Sequence, residues 1–231
     1  GTGVPFAADP IKVGAPLCLT GPYAADGLGY WRGLKMAVDE LNDTGGLLGR
    51  SLEIVKFDTQ DFAPERVMQA ADKLVGSEKV DCIHAAWAGW GQDVRAYGKY
   101  NVPAFTWDAS INSISVFRED PEQYSNWFML NGPEEPAGYD TVKVMANALG
   151  GKSNKKIAVI TTDDSWGLEI AKGIKKAAKE FGWQIALEEV VPYGTREWGP
   201  ILTKIRAIKP AWIHLEIVSA PDLITFFRQF M

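Results

Sequence analysis

The sequence is poor in the residues that reactive or metal sites need. It has two cysteines and two histidines in 231 residues. Two cysteines do not make a disulfide scaffold. Cys18 falls near the end of one predicted strand and Cys82 near the start of another, a stagger that suits two buried thiols better than a bridge. His84 and His214 each sit alone inside a predicted strand, where a histidine is usually a satisfied core residue, and neither has metal-ligand spacing. No G-x-S-x-G elbow, G-x-x-x-x-G-K-[ST] loop or H-E-x-x-H pair occurs. A basic excess is also missing: 24 Lys and Arg stand against 29 Asp and Glu, a net charge of −5. That argues against nucleic acid, which calls for a basic stripe. No apolar run approaches the ~20 residues that span a bilayer. The first ten residues lack the positive and apolar regions of a signal peptide. No internal repeat is visible.

What is present is an ordinary globular composition, with 46% hydrophobic and 23% charged residues, and nine tryptophans. Large aromatics serve cores and stacking sites alike. Apolar residues alternate between two periods along the chain. Strands are predicted at 11–20, 51–58, 80–86 and 102–106, then at 156–161, 184–191 and 211–218. Helical spacing fills the gaps: Leu28, Trp31, Leu34, Val38 and Leu41 mark one face, and Val67, Ala71, Leu74 and Val75 another. Further helices are predicted at 92–100, 138–149, 166–181 and 198–208, and one from Pro221. Strand–helix–strand repetition implies an α/β fold with parallel sheets flanked by helices. An irregular stretch near 115–126 separates two Rossmann-like lobes, 11–120 and 126–231, the second incomplete. The last segment, PDLITFFRQFM, stops without a helix-ending signal, which leads to the expectation of a truncated chain.

Ligands of open parallel sheets bind beyond the carboxyl ends of the strands, and the candidate residues lie there. Loop 21–27 precedes a helix and carries Tyr23 and Asp26; helix-start N–H groups suit an anion. The run Trp87-Ala88-Gly89-Trp90 follows the third strand, where small residues admit a ligand and indoles stack on it or hold a cation. Asp108, Ala109 and Ser110 follow the fourth strand; Asp108 and Ser110 can bind a polar ligand or cap the next helix. Asp164 or Ser165 is the expected cap of the helix that carries Trp166. Glu216, late in an apolar strand, requires a cationic or hydrogen-bonding partner. Glu134 and Glu135 read as solvated acids in a turn, and the lysines of 172–179 as a solvated helix face. Gly27, Gly29 and Gly33 with Asp58 approximate a dinucleotide fingerprint. The six residues 21–26 before the first glycine, and one residue too many in the spacing, favour close helix packing instead.

Three segments, IKVGAPLCLTGPYAADG, GLKMAVDELNDTGGLLGRSLEIVKFDTQD and KIAVITTDDSWGLEIAKGIKKAAKEFG, resemble the branched-chain amino-acid-binding family of ABC-transporter solute-binding proteins. The resemblance runs from about Ile11 to Met231 and implies the type I periplasmic-binding fold. It implies an exported, periplasmic or extracellular monomer that is not an enzyme and uses no cofactor or metal. Such a protein closes its two lobes on a small solute and presents it to a membrane permease. Family members are longer than this chain, in keeping with truncation. The resemblance places ligand contacts at Tyr23 to Asp26, at Trp87 to Trp90, at Ala109-Ser110 and at Trp166. The family's serine-rich loop after the third strand has no hydroxyl here, and Asp108 replaces a small residue. With Glu216, these departures suit an aromatic or cationic solute better than leucine, isoleucine or valine. The alternatives are a ligand-sensing receptor or regulator of the same fold and, less favoured, a nucleotide-dependent enzyme.

Overall fold

The computed structural model describes residues 9–86, 91–107, 110–149, 151, 153–217 and 219–231. The chain divides into two compact units, one running to Asn131 and the other from Gly132 to Met231.

The first unit alternates strand and helix: β1 (Ile11–Leu17), α1 (Ala24–Asp43), β2 (Leu52–Asp58), α2 (Pro64–Ala71), β3 (Cys82–Ala85), α3 (Gln92–Tyr97), β4 (Ala104–Thr106), α4 (Ile111–Glu119) and β5 (Trp127–Met129). The strands form one sheet in the order β2-β1-β3-β4-β5, with parallel pairing throughout the described residues. Successive side chains of a strand point to opposite faces. Val55 and Phe57 accordingly join one apolar cluster with Ile83, Leu74 and Tyr97. Ile54 joins another with Leu17, Trp31 and Leu34. Both faces are thereby covered, as a parallel sheet requires. Pro64 opens α2, where its missing N–H costs nothing. A π-helical turn, Asp72–Ser77, extends that helix. Gly45 and Gly46 end α1 with φ of 105° and 72°, and the Gly46 N–H reaches the Leu41 carbonyl at 2.8 Å.

The expected irregular stretch at 115–126 is corrected. Ser110 accepts the Ser113 N–H at 3.0 Å and starts α4, whose Val116 and Phe117 rest on the core. Serine and asparagine compete with helix in isolation, which hid its period. The turn after α4 leads into β5, three residues long and too short to show alternation. The predicted strands at 11–20, 80–86, 102–106 and 211–218 are shorter in the structure, the first three as β1, β3 and β4 and the last as Trp212–Glu216.

The second unit contains α5 (Glu134–Leu149), β6 (Lys156–Thr162), α6 (Ser165–Glu180), β7 (Gln184–Val191), α7 (Gly199–Ile208), β8 (Trp212–Glu216) and α8 (Ala220–Phe230). Its sheet has the order β7-β6-β8, again parallel. Ile157 and Val159 of β6 enter a core with Val142, Ile170 and Ile174. Ala158 and Ile160 enter a second with Trp198, Leu202 and Phe226. Helices α5 and α6 meet through two glycines. A Cβ on Gly138 would lie 2.2 Å from the Ile170 carbonyl oxygen, and one on Gly173 would lie 1.9 Å from that of Glu135. Glu134 is not solvated in a turn: it occupies the first turn of α5 and is fully buried. The lysine face holds as expected, with Lys172, Lys175 and Lys176 paired to Glu169, Glu188 and Glu135 at the surface. No helix among the described residues is long and apolar enough to cross a membrane.

Candidate functional site

Asp58, at the end of β2, shapes the chain leaving β1. Its Oδ1 accepts the N–H groups of Leu19 at 2.9 Å, Thr20 at 3.3 Å and Gln60 at 2.9 Å. Its Oδ2 accepts the Thr20 hydroxyl at 2.7 Å. Partial burial works to raise the carboxyl's pKa, but these donors outweigh it and hold the pKa below the ordinary value. Both oxygens are therefore engaged in ordering a loop, and neither acts as the ribose-binding acid of a dinucleotide fold. A carboxylate with a lowered folded-state pKa stabilises the protein above its unfolded pKa, and that stability is lost as pH falls through the folded value. Asp58→Asn is thus expected to flatten the decline in melting temperature below about pH 4. An acid limb equal to that of the wild type would refute this role.

Helix α1 begins at Ala24, inside the loop drawn from sequence as 21–27. Tyr23 stands at its N-cap, with its ring 4.9 Å from that of Phe62. Asp26 lies in the first turn; burial pushes its carboxyl up, and Oδ2 is a buried atom without a hydrogen-bond partner. Gly27 is a packing glycine. A Cβ there would sit 1.9 Å from the Cys18 carbonyl oxygen, whereas Gly29 and Gly33 face open space. The Cys18 thiol, 3.4 Å from the Thr59 hydroxyl, is pushed up to about 11, chiefly by burial, and is no nucleophile. Both cysteines are free.

Trp87, Ala88, Gly89, Trp90, Asp108 and Ala109 lie outside the described residues. The elements that flank them are described. Ser110 is fully buried and caps α4. Asp93, which sequence reading passed over, is buried beneath the same end of the sheet. Its Oδ1 accepts the Gly91 N–H at 3.1 Å and lies 3.5 Å from the Ser113 hydroxyl. Its Oδ2 accepts the Trp127 indole N–H at 2.9 Å. Burial pushes the Asp93 carboxyl up to about 6, against the opposing pull of these donors. A signal was available: Asp93 falls four residues before Tyr97, on the helix face that also buries Val94. A cavity of about 20 Å3 lies between Asp93, Tyr97, Cys18, Thr59 and Phe62, room enough for a water-sized group.

The second unit brings two of the expected residues together. Asp164 caps α6 by accepting the Gly167 N–H at 2.8 Å and also contacts the Thr162 hydroxyl. This places Trp166 in the first turn, and its indole N–H donates to Glu216 Oε1 at 2.8 Å. The other Glu216 oxygen lies 3.2 Å from His214 Nε2. Glu216 thus has the hydrogen-bonding partners its position requires, and His214, read as a core residue, is one of them. A half-buried acid held on both sides fixes the plane of the indole. No group of described acids, histidines and cysteines could hold a metal ion.

Residues 10–231 match one family model, that of the periplasmic binding proteins. The chain belongs to that family. Leu/Ile/Val-binding protein homolog 7 of Brucella abortus is 29% identical over 235 aligned positions, spanning 97% of this chain and 56% of its own length. A Silicibacter pomeroyi structure, described as a branched-chain amino acid ABC transporter, superposes with a TM-score of 0.80 at 32% identity, over 96% of this chain and 58% of its own. A solute-binding protein from R. palustris in complex with benzoate has a TM-score of 0.74 at 24% identity, covering 96% and 59%; this likeness concerns the fold. The chain spans about half the length of the curated relatives it matches. The α/β architecture implied by the sequence is therefore that of a type I periplasmic binding protein.

Proposed function

We propose that this chain is part of an extracytoplasmic solute-binding protein that serves an ABC importer and carries out no catalysis. The solute is an aromatic or cationic small molecule rather than leucine, isoleucine or valine. The observation that carries this reading is the Trp166–Glu216–His214 network at the carboxyl ends of β6 and β8. It presents a fixed indole together with a half-buried acid, a pairing suited to a flat ring or a cation. Benzoate, held by the R. palustris protein, is an aromatic acid. Binding of the solute favours a state that a membrane permease recognises.

Isothermal titration of the full-length protein with leucine, benzoate and choline tests the solute class. Benzoate or choline is expected to bind, and at 100 times its Kd to stabilise the protein by about 2.7 kcal/mol. Tight leucine binding with no response to the other two would overturn the assignment.

A further inference from the structure

We infer that Asp93 is a positioning residue, one that ties the starts of α3 and α4 together and so holds the strand-end position of Ser110 for the solute. The inference rests on the solute-binding reading for its purpose, and on the following geometry for its substance.

Helices α3 and α4 follow β3 and β4, so their first residues stand at the end of the sheet where ligands of parallel sheets bind. One carboxylate reaches both starts. Asp93 accepts the backbone N–H of Gly91, the residue before α3. From α4, Ser110 donates its hydroxyl to that of Ser113 at 3.0 Å, and Ser113 in turn points its hydroxyl at the same Asp93 oxygen. The Ser113 N–H returns to Ser110 Oγ at 3.0 Å. Each hydroxyl thus donates in one direction and accepts in the other, an order imposed by a terminal group that only accepts. The opposite Asp93 oxygen takes the indole of Trp127, tying the pair to β5.

A second observation is independent of hydrogen bonding. Gly91 adopts a φ of 99°, and a Cβ there would lie 2.9 Å from Val116 Cγ2 and 3.3 Å from the Asn112 carbonyl oxygen. The start of α3 is therefore pressed directly onto α4, in a conformation that excludes a side chain. Asp93 is buried and fully engaged by these donors. It is unavailable to a ligand and acts through the elements it holds.

Leucine tests this, because it fills a similar volume and offers no acceptor to either helix start. In Asp93→Leu, exchange of the Gly91 and Ser113 amides, followed by NMR in the full-length protein, is expected to rise together by about ten-fold or more. Amides of β1 and β6 should keep their protection. Benzoate affinity should fall about ten-fold. Trp127→Phe removes only the indole donor and is expected to leave both amides and the affinity unchanged. A role confined to core packing would make the two variants equivalent. Ser113→Ala, useful if Asp93→Leu does not fold, should accelerate exchange at the start of α4 and spare Gly91. Unchanged exchange at Gly91 and Ser113, a uniform rise across the first unit, or accelerated exchange with undiminished affinity would each overturn the inference. If the wild type binds none of leucine, benzoate and choline, the solute reading fails, and the exchange measurements still decide whether Asp93 ties the two helices.

Discussion

Replacing Gly27 with alanine is expected to destabilise the first unit by about 3 kcal/mol or more, while alanine at Gly29 or Gly33 should be neutral or stabilising by up to about 1 kcal/mol. All three glycines lie on α1 and belong to the same apparent fingerprint. Their surroundings differ. A Cβ at Gly27 meets the Cys18 carbonyl oxygen at 1.9 Å, a backbone atom that cannot swing aside, and nothing lies within 4 Å of a Cβ at the other two. In the open positions, alanine improves helix propensity and reduces the freedom of the unfolded chain. Urea unfolding of the three variants measures this directly. Equal effects at all three positions would refute the packing role of Gly27.

Trp198→Ala is expected to cost about 3–5 kcal/mol, the range for a large aromatic removed from a core. Trp198 is fully buried, and its ring meets that of Phe226 edge-on at 5.3 Å. One detail tempers its contribution. The indole Nε1 is buried without a hydrogen-bond partner, and a buried, unsatisfied donor is itself unfavourable by about 1–3 kcal/mol. Trp198→Phe removes that donor while keeping most of the apolar ring, so its loss should stay below about 2 kcal/mol. Thermal melts of both variants separate the two contributions. A phenylalanine variant as unstable as the alanine one would show that ring shape alone sets the value of the position.

The β6 strand illustrates what is legible in the sequence. Its run KIAVITT is apolar almost throughout because both faces are buried, and that pattern on its own announces a parallel strand. Gln184–Val191 and the caps at Asp164 and Ser110 are equally readable, since each depends on a local preference. The α4–β5 segment is not. Its helix is short and rich in serine and asparagine, and β5 has three residues; what stabilises both is burial of Phe117 and Trp127 on residues distant in sequence. Glu134 misleads for the same reason: a pair of acids beside a proline reads as solvated, and only the packing of α5 shows that one of them is buried.

The site divides along similar lines. Strand-end positions, Tyr23 and Asp26 in the first unit and Trp166 and Glu216 in the second, follow from topology, because crossovers in each parallel sheet bring its own loops to one end. That Glu216 orients Trp166, that His214 completes the pair, and that Asp93 joins two helix starts all depend on contacts between residues 2 to 50 positions apart. Composition, periodicity and capping signals act over a few residues and determined by themselves the α/β class and the order of most of the elements. Partners across the sheet, and the fate of each buried acid, were decided only by the tertiary structure, because the free energy of a buried polar group depends on which donors the folded chain brings to it.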